Sequence, residues 1–149
     1  MMKKIEAYGV VLYTVEKDSI KILLCKSVKS RDKWGCLKGV KLSSETPREC
    51  ARREFYEESS IKGVESYLFE DYFEQRNEEK NIGVWLVNIQ KVANWKSYFF
   101  EDKLLDNYLS WENSKVKFFD IKKLPNIKKK QKDLIKQIKD FLQNKSQHR

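Results

Sequence analysis

The stretch GVKLSSETPRECARREFYEESSI, from Gly39 to Ile61, carries three carboxylates at a spacing that decides the reading of the whole chain. Glu54, Glu57 and Glu58 stand at i, i+3 and i+4, one face of a helix. Like charges that close destabilise an isolated helix, and a divalent cation would offset the repulsion. Oxygen ligands alone favour a hard ion, Mg²⁺ or Mn²⁺, and Mg²⁺ usually brings substrate phosphate with it. The alternative is a solvated acidic face paired with arginines, which is common on helices. The helix start is well marked. Thr46-Pro47-Arg48-Glu49 is a capping box, with Thr46 as N-cap and Pro47 in the first helical position. Ala51 and Phe55, with Cys50, form the apolar stripe. Arg53 is placed to pair with Glu57 or Glu49 and so to hold a ligating carboxylate in one orientation.

The segment resembles the Nudix hydrolase box, G-x5-E-x7-R-E-U-x-E-E-x-G-U, where U is bulky and aliphatic. Gly39, Glu45, Arg53, Glu54, Glu57, Glu58 and Ile61 fall in register, and Phe55 takes a U position as an aromatic. Ser60 replaces the last glycine, a position just past the helix where positive φ is favoured. The resemblance implies an α+β fold, a Nudix-like α/β/α sandwich with a mixed β-sheet between helices. It also implies that Glu54, Glu57, Glu58 and the Gly39 carbonyl hold Mg²⁺ (or Mn²⁺), with Glu45 orienting Arg53 from behind.

Outward from the box, the composition suits one domain spanning residues 1–149, long enough to bury a core. No apolar run is long enough to cross a bilayer, and the start of the chain lacks a secretory pattern. Cys25, Cys36 and Cys50 are odd in number and lack metal-ligand spacing, which reads as reduced thiols in a cytoplasmic protein. The single histidine, His148, is penultimate. Histidine-based triads, Cys-His pairs and zinc sites within the domain are therefore not expected.

Ala7–Val15 and Ile20–Ser27 read as a β-hairpin around the turn Glu16–Ser19. Ser30–Lys38 reads as a loop. Ser66–Phe73 and Ile82–Gln90 read as strands separated by the polar stretch Glu74–Asn81, and Lys115–Asp120 as another strand. A basic amphipathic helix is expected over about 128–143, its stripe formed by Leu134, Ile135, Ile138, Phe141 and Leu142. Residues 121–149 hold ten Lys or Arg against two Asp, so nearly all of the net charge of +9 is local. A solvated helix face and an electrostatic surface for RNA both fit that bias.

Trp34-Gly35-x-x-Lys38-Gly39, and later Leu109-Ser110-Trp111-Glu112 with Phe118-Phe119, look like the dinucleoside polyphosphate hydrolase branch of the family. That branch often has histidine where this chain has Val40. Enzymes trimming the triphosphate of RNA 5′ ends are similar in sequence. The resemblance implies water attack on phosphorus, with Glu112 or Glu54 as base and Lys38 on a phosphate. Trp34 and Trp111 are the preferred stacking pair, ahead of Tyr72, Tyr98 and Tyr108. A small nucleotide is the expected partner, diadenosine tetraphosphate being the type, with RNA as a further one and no membrane. Triphosphate sanitising and a non-catalytic nucleotide- or RNA-binding module are the other readings.

Overall fold

The computed structural model describes residues 4–147, so His148 lies outside the described residues. Along the chain run β1 (Ile5–Val15), β2 (Ile20–Ser27), β3 (Leu37–Val40), α1 (Pro47–Ser59), β4 (Tyr72–Arg76) and β5 (Lys80–Asn88). After these come the short β6 (Phe99–Phe100) and β7 (Lys103–Leu104), then β8 (Asn113–Asp120) and α2 (Lys132–Gln147). The sheet is mixed and centred on β1. One edge of β1 pairs in parallel with β5, from Ile5↔Lys80 to Tyr13↔Asn88. The other edge is shared by β3, paired from Ala7↔Val40 to Val10↔Leu37, and by β2, paired from Tyr13↔Ile22 to Val15↔Ile20, both antiparallel. β8 extends the sheet beyond β2, and β4 forms the edge beyond β5.

Alternation along the central strands divides the core in two. Ala7, Val11 and Tyr13 join Ile22, Leu24, Val84 and Leu86 beneath Leu134, Ile135, Ile138 and Leu142 of α2. Val10 and Leu12 join Leu23, Leu37 and Val87 beneath Ala51 and Phe55 of α1. Strands covered on both faces read as continuous apolar runs, and the helices lie on opposite sides of the sheet, giving an α/β/α sandwich.

α1 starts where its capping box places it: Thr46 Oγ1 accepts from Glu49 N, and Glu49 Oε1 accepts from Thr46 N at 2.8 Å. It ends at Ser60, which adopts the left-handed conformation with φ 58. Serine bears the penalty that glycine would avoid, about 1 kcal/mol. Two hydrogen bonds hold the cap there: Ser60 N to Tyr56 O at 2.8 Å and Ser60 Oγ to Tyr108 O at 3.2 Å.

Four details differ from the sequence expectation. Ser66–Phe73 is not a strand: Ser66–Leu68 forms a 3-10 turn, and the strand comes later, over Tyr72–Arg76. The polar stretch Glu74–Asn81 is thus mostly hairpin, with Tyr72↔Trp85 and Arg76↔Asn81 in register. An edge strand tolerates polar residues that a central one would not. β3 emerges from the segment read as a loop, because only pairing with β1 makes it a strand. α2 begins at Lys132 rather than about 128, since Lys129–Gln131 forms a separate 3-10 turn.

Phe55 is fully buried. Phe55→Ala is expected to lower unfolding free energy by about 3–5 kcal/mol, and Thr46→Ala by about 1 kcal/mol, in urea titrations. Equal effects from the two would contradict this division between core and cap.

Candidate active site

Arg53 gathers the acidic residues of α1 and the loop before it. Its Nε and Nη2 donate to the two oxygens of Glu45 at 3.0 and 2.6 Å. Its Nη1 donates to Glu54 Oε1 at 2.7 Å and Glu57 Oε2 at 3.2 Å, and Nη2 also reaches the Val40 carbonyl at 3.2 Å. Glu45 additionally accepts from Leu42 N at 2.9 Å. The forked pair with Arg53, helped by that backbone N–H, draws the Glu45 pKa down to about 2.

Glu58 faces the other way. It is 9% exposed and makes no ion pair among the described residues. Burial pushes its pKa up to about 8, with the charge of Lys38 working against the rise and those of Glu54 and Glu112 adding to it. Cys25 Sγ lies 4.0 Å from Glu58 Oε2. The buried Asn113 amide beside it lowers the Glu58 pKa. Burial also raises the Glu54 pKa, Arg53 opposes that rise, and Glu57 and Glu112 add to it.

Gly39 is required by this packing. A Cβ there would stand 1.7 Å from Glu54 Oε2, so the bare backbone of β3 makes room for the carboxylate. The Gly39 carbonyl is contacted by the Cys50 thiol at 3.4 Å.

The donor set suits a hard cation. Two carboxylates whose ionised forms are disfavoured by burial, Glu54 and Glu58, stand four residues apart on one helix, with Glu54 directly against Gly39. Glu57 is half-exposed and committed to Arg53. Among the described residues, no three acidic, histidine or cysteine side chains converge on one point.

The remaining sequence candidates are dispersed. Glu112 is exposed on the turn before β8, close enough for its charge to act on both Glu54 and Glu58. Lys38 is half-buried on β3, and its charge acts on Glu58. Trp111 is 83% exposed. Trp34 must be corrected as a stacking platform. It is buried in the core, edge-on to Phe119 at 4.6 Å, with Lys26 Nζ 5.7 Å from its ring centre. The loop around it is held as a strand-like bridge to Ile127, which turns the ring inward. Tyr98 and Tyr108 pack on each other at 4.9 Å near the end of α1, while Tyr72 is partly exposed and its hydroxyl occupies the space above Gly83. Sequence reasoning missed Asn113, which has no signature outside its fold position.

The NUDIX domain profile matches residues 3–141. None of the curated proteins compared with the chain matches it. Among solved structures, a C. elegans Ap4A hydrolase in a binary complex is 20% identical with TM-score 0.56, over 79% of this chain and 81% of that one. A MutT/nudix family protein from Enterococcus faecalis is 18% identical with TM-score 0.60, over 80% of this chain but only 45% of that one. The NUDIX domain of Shewanella oneidensis NrtR, solved with ADP ribose, is 14% identical with TM-score 0.63, over 95% of this chain and 90% of that one. Likeness at these identities speaks for the fold.

Two expectations follow from the geometry. Glu45 has its pKa held below the ordinary glutamate value of 4.5, so its ion pair with Arg53 stabilises the fold above about pH 4.5 and is lost as pH falls towards 2. The difference in unfolding free energy between wild type and Glu45→Gln should shrink across that window; a constant difference would deny the pair this role. Gly39→Ala should displace the Glu54 carboxylate, visible as altered divalent-ion affinity in calorimetry with the fold retained by circular dichroism.

Proposed function

Because the chain belongs to the NUDIX domain family, we propose that it is a metal-dependent pyrophosphohydrolase cleaving a phosphoanhydride bond in dinucleoside polyphosphates such as diadenosine tetraphosphate. The observation that carries the hydrolytic reading is the intact acidic cluster. Arg53 binds Glu45, Glu54 and Glu57 together, while Glu58 is buried with no ion pair among the described residues and only the charge of Lys38 acting on it. Clustered carboxylates, one of them buried, are costly unless a cation answers them, and that cost favours a catalytic metal site over a module that only binds nucleotides.

Glu54, Glu57, Glu58 and the Gly39 carbonyl are the groups that would hold Mg²⁺, with Mn²⁺ as an alternative. Such an ion supplies charge neutralisation on phosphate oxygens and activation of water. The protein's own contribution is position. Arg53 fixes the rotamer of Glu54 through a 2.7 Å contact, and Glu45 fixes Arg53 through two. Lys38 offers an ammonium to a phosphate. Either Glu112 or Glu54 takes the proton from the attacking water: Glu112 is the more exposed, and Glu54 the better held. Trp111, lying open on the turn that carries Glu112, is the side chain that would stack on a base.

The choice of dinucleoside polyphosphates rests on the resemblance around Lys38-Gly39 and Trp111-Glu112. RNA 5′-triphosphate ends are the second reading, favoured by the lysines concentrated beyond residue 121. Product analysis with Mg²⁺ separates the two. ATP and AMP from diadenosine tetraphosphate, with slower turnover of a 5′-triphosphorylated RNA, supports the first. Pyrophosphate or phosphate from the RNA, with little dinucleotide turnover, replaces it with the second. Glu57→Gln and Glu58→Gln are each expected to reduce kcat by about a hundredfold or more with the fold intact. Full turnover by both variants would remove the carboxylates from the mechanism.

A further inference from the structure

Beside the acidic cluster lies a cleft of about 370 Å³ walled by Lys33, Lys38, Lys80, Lys128, Lys129 and Lys130. None of these six lysines forms an ion pair among the described residues. Lys38, Lys80 and Lys128 are half-buried, and the other three stand at the rim. The crowding is severe enough to affect protonation. Burial, followed by the charges of Lys38, Lys130 and Lys128, draws the Lys80 pKa down to about 8.

The positive wall is a built feature rather than a loose tail. The turn carrying Lys128, Lys129 and Lys130 is fastened to the loop before β3: Trp34 N donates to Asn126 O at 2.8 Å, and Lys128 N to Trp34 O at 3.0 Å. The Cys36 N–H donates to the buried Gln131 Oε1 at 2.7 Å. From the β4–β5 hairpin, Asn77 Nδ2 donates to the Lys130 carbonyl at 3.0 Å. On the opposite wall, Gly9 lets β3 lie close against β1, since a Cβ there would meet Lys38 Cβ at 2.7 Å. Three separate elements therefore hold like charges together against their mutual repulsion, an arrangement that a polyanion would relieve.

We infer that this cleft binds an oligophosphate chain, taking the phosphates of a substrate that extend beyond the bond cleaved at the α1 carboxylates. Lys38 links the two regions: it lines the cleft, and it directly precedes Gly39, against which the Glu54 carboxylate packs. The inference deepens the proposed hydrolase activity and rests on that reading for what the chain is attached to. The lining contains no aromatic ring, so it offers ammonium groups to phosphate but no platform for a base. Substrates with several consecutive phosphates fill such a site, and a bare diphosphate does not.

The test is titration calorimetry with inorganic tripolyphosphate in buffer free of divalent metal. Saturable one-site binding is expected, weakened at least about tenfold in the Lys128→Gln/Lys130→Gln double variant. Lys122→Gln/Lys123→Gln removes the same charge from exposed positions outside the cleft and should leave affinity within about twofold of wild type. Equal weakening by both pairs, or no saturable binding to wild type, overturns the proposal. In competition, a 5′-triphosphorylated RNA should displace tripolyphosphate better than the same RNA with a 5′-hydroxyl. Equal displacement would make the cleft a surface for nucleic-acid backbone instead and overturn the proposal. Binding is read without turnover, so a protein that hydrolyses nothing but binds tripolyphosphate here fails the proposed activity alone, and the reverse result fails the cleft alone.

Discussion

The approach of helix α1 to strand β3 at Gly39 sets the geometry of everything around it. The Glu54 carboxylate occupies the volume where any other residue would have its Cβ, so helix and strand meet through backbone and carboxylate rather than through two side chains. That contact requires α1 to sit flat on the sheet, which Ala51 and Phe55 accomplish by complete burial beneath it. It also requires the charge of Glu54 to be held, which Arg53 does while using its other nitrogens for Glu45 and Glu57. A guanidinium suits this task because it presents several donors in one rigid plane, and lysine would hold one partner at a time.

The two charged regions beside β3 have opposite signs and complementary needs. On the α1 side, Glu58 is buried where its anion is disfavoured; on the other side, Lys80 is crowded by lysines so that its cation is disfavoured. Each arrangement is unfavourable alone. A substrate with phosphate groups bound alongside divalent metal would relieve both at once, with phosphate oxygens answering the lysines and the cation answering the carboxylates. Lys38, between them on β3, belongs to both fields.

Much of the frame is legible in the chain because local patterns and global fold agree. The β1–β2 hairpin, the apolar runs of the central strands, the capping box of α1 and the stripe of α2 each repeat with the period of the element they form. The failures fall where pairing rather than pattern makes the structure. β3 spans only Leu37–Val40 and exists because β1 offers it an edge; β4 is polar because it lies at the margin of the sheet. Trp34 looked like a base-stacking residue from its place before the acidic segment, but the bridge to Ile127 turns its ring into the core.

The sequence by itself determined the acidic helix, its register and the family to which the chain belongs, because those depend on residues near one another along the chain, at spacings fixed by 3.6 residues per turn. It also determined that the basic residues cluster late, since charge can be counted without coordinates. Only the tertiary structure decided which of the glutamates is buried, because exposure depends on what packs above each one: Glu58 is covered, and Glu57 is left to Arg53. It alone decided that Lys80, from the start of β5, and Lys33 and Lys38, from either side of Trp34, meet the Lys128–Lys130 turn in one cleft. Residues so far apart in sequence are brought together by strand pairing and by hydrogen bonds between loops, and no local periodicity records those contacts.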